Sequence, residues 1–307
     1  MQESGGVFIN PFVDEGFKIL FGQESSKDVL IAVLNIILEG EEVITDIVYK
    51  DKEIPRELIG KRTLIYDILC LTDKGEFILV EMQNKRQAFF EKRAAFYMAS
   101  AIVNQGATGA AWGYDLKRVY GIFFLNFNLP DRKPRLRIDL EKRDRHTGEL
   151  FDDYQRITYI MFPQMKKRRF EECENDFERI IFILKNMEAL LSLPGQEYLP
   201  IIKRIEEIAA RTKLSVEQKR LYEKALDAYR VENDVFRTTM EEGREEGLKA
   251  GRIEGQIKGR IEGKIEGKIE GKIEGRIEVA RNLKKMGLPL SQIAEASSLS
   301  IEEIEAL

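Results

Sequence analysis

Two apolar runs joined by a short polar turn constrain the fold of this chain more than any other feature. The runs are Leu64–Leu71 (LIYDILCL) and Phe77–Gln83 (FILVEMQ), and the segment TDKGE separates them. Apolar, β-branched runs of this length predict buried strands, and Gly75 supplies the turn of an antiparallel hairpin. Each run also carries a carboxylate, Asp67 in the first and Glu81 in the second.

The turn places these carboxylates against each other. If the hairpin pairs about Lys74 and Gly75, Asp67 lies opposite or nearly opposite Glu81, and Gln83 shares the face of Glu81 because side chains alternate along a strand. Two facing carboxylates raise each other's pKa unless a cation lies between them. Mg²⁺ accepts such oxygens while it keeps several waters, and it can polarise a phosphodiester and activate a water. The pattern alone also allows a solvent-facing Asp67 and a Glu81 that merely ends its strand.

The elements around the hairpin predict an α/β core. Residues Asp14–Leu38 have helical spacing interrupted at Gly22, Val43–Tyr49 is rich in β-branched residues, Ala88–Asn104 reads as a helix and Val119–Phe127 as a strand. The order is therefore helix, three-stranded antiparallel meander, helix and strand, followed by a mainly helical C-terminal half. We expect a first domain at 1–165, a helical region at 166–240, a repeat at 241–278 and a small helical module at 279–307.

Charge and cysteine content limit the possible functions. The formal net charge is −4, so nucleic-acid binding requires local basic patches, for which Arg132–Arg145 and Lys166–Arg169 are candidates. Such runs are equally typical of a solvated surface. Two cysteines and one histidine do not suffice for a zinc site. No signal peptide or membrane-length apolar stretch is present, which favours a soluble cytoplasmic protein without membrane contact.

Glycine recurs at every fourth residue from Gly243 to Gly275, with GKIE as the repeat unit. In a helix of this sequence, like charges lie four residues apart, as Glu262 and Glu266 do, and each glycine costs about 1 kcal/mol relative to alanine. An isolated helix is therefore marginal. A homo-oligomer in which helices approach along the glycines is the interpretation we favour, and a flexible mixed-charge linker is the alternative. The acidic C-terminal module at 279–307 is expected to contribute to this self-association as a dimerisation or docking module.

The order of these elements resembles the core of the PD-(D/E)XK nuclease superfamily. DEGFKILFG at Asp14–Gly22 and VEMQ followed by KRAAFYMA at Lys92–Ala99 are similar to the Rpn family of that superfamily, the recombination-promoting nucleases and transposases. The glycine repeat and the C-terminal MGLPLSQIAEASSLSIEEIEAL are also similar to tails in this family. The resemblance implies a Mg²⁺-dependent DNA endonuclease with a role in recombination, mobile elements or defence.

The resemblance also implies roles for individual residues. Asp67 and Glu81 would hold the metal, and Gln83 occupies the position of the motif's lysine. A glutamine carries no positive charge, so Lys85, Arg93 or Lys18 is expected to supply one. Arg93 and Tyr97 share a helix face, as the helical motif of the family requires. Arg93 could also be a solvated helix residue, and Tyr97 a core residue.

Asp14 either caps the first helix or supports the metal. The rival to an enzyme is a catalytically inactive DNA-binding or oligomeric interaction protein that retains the nuclease fold, and Gln83 is the feature that keeps this alternative open.

Overall fold

A computed structural model describes residues 6–50, 53–54, 64–106, 113–130 and 132–307. The chain divides into two compact units, Met1–Arg230 and Val231–Leu307. The described strands are β1 (Ile47–Tyr49), β2 (Glu53–Ile54), β3 (Leu64–Ile65), β4 (Ile68–Thr72), β5 (Phe77–Gln83), β6 (Val119–Leu125), β7 (Arg137–Arg143) and β8 (Leu150–Met161). The helices are α1 (Asp14–Phe21), α2 (Lys27–Ile37), α3 (Phe90–Val103), α4 (Asp176–Asn186), α5 (Pro200–Ala209), α6 (Val216–Lys285), α7 (Leu290–Ser297) and α8 (Ile301–Glu305).

A mixed six-stranded sheet forms the centre of the first unit, in the order β1-β4-β5-β6-β8-β7. Strands β1, β4 and β5 form an antiparallel meander, and β5, β6 and β8 are parallel to one another. Helix α3 connects β5 to β6, which supplies the long connection that parallel neighbours require. The predicted α/β core is confirmed.

The sheet separates two apolar clusters because successive side chains of each strand point to opposite faces. On one face, Ile78, Val80 and Met82 of β5 join the larger cluster, to which α1, α2, α4 and α5 contribute. On the other face, Leu79 joins the smaller cluster built on α3. Glu81 alternates with Val80 and Met82 and therefore emerges on the α3 side.

The predicted hairpin is confirmed in its register and corrected in its length. Ile68 pairs with Val80 and Leu71 with Phe77, and Gly75 takes the left-handed backbone angle (φ 81°) that the turn requires. The run that starts at Leu64, however, is two strands, because β3 pairs with β2 in a separate two-stranded sheet. Asp67 therefore lies at the bend between β3 and β4, and not in the middle of one strand.

The basic run at Arg132–Arg145 contains a strand that its composition does not reveal. Strand β7 forms the edge of the sheet and pairs antiparallel with β8, with register shifts near Lys142. Its charged side chains form ion pairs along the strand, between Arg137 and Asp139 and between Arg143 and Glu141. Charged side chains are typical of an edge strand because they oppose pairing with other sheets.

The second unit consists of most of α6 followed by α7 and α8. All of the repeat glycines lie within α6, and a β-carbon added at any of them would meet nothing within 4 Å. Gly287 (φ 78°) ends the long helix, and a capping box at Ser300 and Glu303 starts α8. Ala280, Ile293 and Ile304 form a small core among these elements. Within the described ranges, no helix combines the length and the apolar character that crossing a bilayer requires.

Candidate active site

Asp67 and Glu81 meet at the open end of the β4–β5 hairpin. The register that pairs Ile68 with Val80 continues to place Asp67 opposite Glu81. The backbone N–H of Asp67 donates to Glu81 Oε1 (3.1 Å), and the N–H of Met82 donates to Asp67 Oδ2 (2.9 Å). Each carboxylate thus accepts a hydrogen bond from the backbone on the opposite side of the hairpin, which fixes the position of both side chains.

The environment of Glu81 disfavours its charged form. The residue is only 2% exposed, and burial, followed by the charge of Asp67, raises its pKa from 4.5 to about 8. Backbone hydrogen bonding, Arg93 and Gln83 act in the opposite direction, but their effect is smaller. A carboxylate held in this way gains from a nearby cation, because a positive charge favours its ionised form.

Gln83 links the carboxylates to a positive charge. Its Nε2 donates to Glu81 Oε2 (3.2 Å), and its Oε1 accepts from Nη2 of Arg93. A second guanidinium nitrogen of Arg93 donates to Oε1 of Gln87. A glutamine can serve both neighbours because its amide has a donor and an acceptor, whereas a lysine can only donate. The positive charge near position 83 is therefore carried by Arg93, one helix away.

Two tyrosines close the α3 side of the site. Tyr66 is buried, its hydroxyl donates to the carbonyl of Tyr97 (3.3 Å), and the two rings pack edge to face. The guanidinium of Arg93 lies over the Tyr97 ring, 5.6 Å from its centroid. Burial, and then the charge of Glu81, raises the pKa of both phenols. Both rings therefore remain neutral and help to hold Arg93 in place.

Other predicted residues lie at different distances from this centre. Lys18 forms an ion pair with Asp14 (2.5 Å) along α1. Burial lowers the pKa of Lys18, but the charges of Asp14, Glu15 and Asp67 raise it above its ordinary value. The amine of Lys18 therefore interacts electrostatically with Asp67 of the site. Asp14 does not cap α1, because the N-cap is Val13 and Asp14 lies in the first turn. Lys85 follows the end of β5 with its amine buried.

The basic runs are neutralised in part by acidic neighbours. Arg132 pairs with Glu91, in addition to the pairs along β7, and Lys167 pairs with Glu174 and Glu178. These ion pairs lower the net positive charge of both runs.

The sequence did not indicate two residues that support the site. Gln87 accepts from Arg93, and Asn84 donates to the carbonyl of Phe12, which ties the end of β5 to the segment before α1. Both follow the apolar run of β5, in a segment without periodicity, so no pattern marks them.

A scan against models of protein families matches residues 11–238 to the PD-(D/E)XK nuclease family transposases. The chain belongs to this family. The match covers α1, the hairpin with Asp67 and Glu81, and α3, and it confirms the resemblance to the Rpn group and a nuclease-type function. No curated protein and no solved structure matches the chain at a significant level.

PD-(D/E)XK nucleases generally use divalent metal ions, and the donor set at the hairpin fits such an ion. Asp67 and Glu81 offer carboxylate oxygens on one face, next to the amide of Gln83. In the described part of the chain, no group of three or more His, Cys, Asp or Glu side chains is arranged to hold a metal. Two carboxylates suffice for Mg²⁺, which binds through one or two of them and retains water ligands.

Proposed function

We propose that this PD-(D/E)XK family member is a Mg²⁺-dependent DNA endonuclease that acts in recombination, mobile-element transfer or defence. The observation that supports this proposal is the pair of opposed carboxylates, Asp67 and Glu81, with the raised pKa of Glu81 at their centre. Placing the buried carboxyl of Glu81 beside the half-buried carboxylate of Asp67 destabilises a fold, and strongly perturbed acids of this kind are concentrated at functional sites.

In this proposal, Asp67 and Glu81 hold the metal ion. When bound, Mg²⁺ supplies the polarisation of a phosphodiester and the activation of a water. Gln83 orients Glu81 through its amide N–H and positions Arg93 through its amide oxygen. The guanidinium of Arg93 can donate to the oxygens of a phosphate. Tyr97 holds Arg93, and Lys18 and Lys85 add positive charge near the substrate. Asp14 acts through its ion pair with Lys18.

We further propose that residues 1–165 form the nuclease domain and that 166–240, 241–278 and 279–307 form the helical region, the repeat and the terminal module. The family match extends to residue 238 and so includes the helical region with the nuclease domain. The first compact unit likewise continues to Arg230.

Cleavage of supercoiled plasmid in the presence of Mg²⁺ tests the enzyme. The parent protein should nick or linearise the plasmid, whereas Asp67→Ala and Glu81→Ala should lose at least about 100-fold of the rate, because removing a charge-stabilising group typically costs that much. Asp73→Asn is the matched control. Asp73 is an exposed acid of the same hairpin, and its contact to Thr45 survives in asparagine.

The proposal is wrong if the parent, Asp67→Ala and Glu81→Ala give the same plasmid pattern. If all three bind DNA equally in a mobility-shift assay, the chain is the inactive DNA-binding protein instead. Activity with EDTA present would show that the proposed metal is not required.

We also propose that α6 pairs with α6 of a second copy of the chain. Isoleucine recurs every four residues from Ile253 to Ile273, and these side chains are 48–59% exposed. Successive residues of a helix are about 100° apart, so within one repeat the isoleucine and the glycine lie about 200° apart on nearly opposite faces. The row of isoleucines turns by about 40° per repeat, so isoleucines of two or three neighbouring repeats share a face. The isoleucine face is the one that gains from burial.

The charges beside this face favour a parallel pair. For Ile261, Ile265, Ile269 and Ile273, glutamate lies about 100° to one side of the isoleucine, and the lysine or arginine three residues further on lies about 60° to the other. When two parallel copies face each other about a two-fold axis, the glutamate edge of one meets the lysine edge of its partner. In an antiparallel pair, like edges meet. Electrostatic complementarity of this kind selects orientation, as it does in coiled coils.

Cysteine cross-linking distinguishes the two orientations. In a parallel pair, full-length Ile261→Cys and Ile269→Cys, which are about 80° apart around the helix, should each form disulfide dimers when tested alone. In an antiparallel pair, only a mixture of the two variants should cross-link efficiently. The native cysteines, Cys70 and Cys173, are buried and provide little background. A protein lacking residues 241–307 that still self-associates would count against α6 as the contact.

A further inference from the structure

Phe89 is held in an unfavourable conformation with its ring in solvent. It is the residue before α3, its backbone is left-handed (φ 63°, ψ 25°), and the residue is 73% exposed. Bulky side chains rarely adopt this conformation, which glycine and asparagine tolerate. The next residue, Phe90, is buried against Phe123 and Tyr159. The core therefore explains Phe90 and leaves Phe89 without a packing role.

The surroundings of Phe89 have the chemistry of a nucleotide-binding surface. The ring lines a cleft of about 170 Å³ together with Arg86, Lys92 and Phe127, and the carboxylate of Glu91 in the same cleft is paired with Arg132. Lys92 lies over the Phe89 ring, with its amine 5.0 Å from the centroid. Aromatic faces that stack on bases, next to cations that contact phosphates, are the usual elements of single-strand recognition.

Phe89 is connected to the candidate metal site through one helical turn. The backbone N–H of Arg93 donates to the carbonyl of Phe89 (3.0 Å). The side chain of Arg93 in turn contacts Gln83, which donates to Glu81. The first turn of α3 therefore carries both Phe89 and Arg93, the residue that reaches the candidate metal site.

We propose that Phe89 is a stacking platform for an unpaired base of the DNA substrate, with Arg86 and Lys92 binding the phosphates on either side of that base. This inference rests on the proposed nuclease function and specifies its substrate as DNA with single-stranded character. The left-handed backbone at Phe89 holds the ring out of the core, where a base can reach it.

The test measures the binding of a fluorescein-labelled single-stranded oligonucleotide and of its duplex by anisotropy. All proteins are full length and carry Asp67→Ala to prevent cleavage. Phe89→Asn should weaken single-strand binding by about 5- to 150-fold, the range expected for one lost stacking contact, and should affect the duplex much less. Phe89→Trp should restore tight binding. Tyr114→Asn is the matched control, since Tyr114 is 75% exposed and also left-handed (φ 59°).

Thermal melting separates stacking from a structural role. Phe89→Asn should melt at or above the temperature of the parent, because asparagine suits this backbone conformation. Unchanged single-strand binding by Phe89→Asn would overturn the inference, and so would an equal loss in Tyr114→Asn or a parent that binds no single strand. If Phe89→Asn melts lower, Phe89→Gly is measured in its place.

Plasmid cleavage by the protein with intact Asp67 tests the nuclease separately. If the parent cleaves plasmid and Phe89→Asn binds single strands normally, the nuclease function is supported and the stacking role of Phe89 is rejected. If the parent does not cleave but Phe89→Asn weakens its single-strand binding, the stacking role of Phe89 is supported and the nuclease function is rejected.

Discussion

Glu81→Gln should stabilise the metal-free protein at neutral pH while it abolishes cleavage. The pKa of Glu81 is raised from 4.5 to about 8 in the folded chain. Below pH 4.5 the carboxyl is protonated in both the folded and the unfolded state, so it does not affect stability there. As the pH rises towards 8, only the unfolded state releases the proton freely, and the folded state loses free energy of unfolding throughout this range.

Proton linkage sets the size of the effect. At pH 7.5, the shifted pKa of Glu81 corresponds to a loss of at most about 4 kcal/mol. The substituted amide keeps the hydrogen bond from the N–H of Asp67 but loses the one from Gln83. The lost hydrogen bond lowers the gain in stability by about 1 kcal/mol. We expect a net gain of about 1–3 kcal/mol. For a unit of this size, that is a rise of roughly 3–10 °C in Tm.

Near-ultraviolet circular dichroism in EDTA measures this effect in the first unit, because Phe236 is the only aromatic residue after Arg230. The gain should be present at pH 7.5 and disappear near pH 4. Glu91→Gln, at an exposed ion pair with Arg132, should change stability by less than about 0.5 kcal/mol. A Glu81→Gln protein that is less stable than the parent at pH 7.5, or whose gain persists at pH 4, would refute the reasoning.

Three further outcomes follow from the structure. Gly16→Ala should destabilise the first unit by about 2 kcal/mol or more in denaturant melts, because the added β-carbon would lie 2.2 Å from the carbonyl oxygen of Asn10. Gly263→Ala has open space and should stabilise α6 by about 1 kcal/mol; if it instead weakens self-association in sedimentation experiments, the glycine face is the contact. Arg93→Lys should lower plasmid cleavage about tenfold, because a lysine cannot bridge both glutamines, and equal rates would exclude Arg93 from the site.

The hairpin shows which parts of the site can be predicted from the sequence. Strand alternation and the position of Gly75 predict that Asp67 faces Glu81, and the register agrees. These are local constraints, since both carboxylates lie within a few residues of the same turn. The bend at Asp67 was not predicted, because it arises from the pairing of β3 with β2, and nothing in the apolar run marks where one partner replaces another.

The partner of Gln83 could not be predicted for a different reason. The sequence offered Lys18, Lys85 and Arg93 as sources of positive charge, and only the packing of α3 against the sheet brings Arg93 to Gln83. Strand β7 was also missed, because its exposed faces carry charges in place of an alternating apolar pattern. The predictions from sequence fail in this chain where a contact or a strand depends on residues that are distant in the sequence.

The four-residue period of α6 also affects how precisely two copies can align. From Gly259 to Glu278 every repeat presents glycine, lysine or arginine, isoleucine and glutamate, so shifting one helix by four residues reproduces nearly the same contacts and sacrifices only those of one repeat. Each such step moves the helix by about 6 Å and rotates it by about 40°. The repeat alone therefore specifies orientation but not alignment, and the residues that flank it must determine which of several nearly equivalent pairings is occupied.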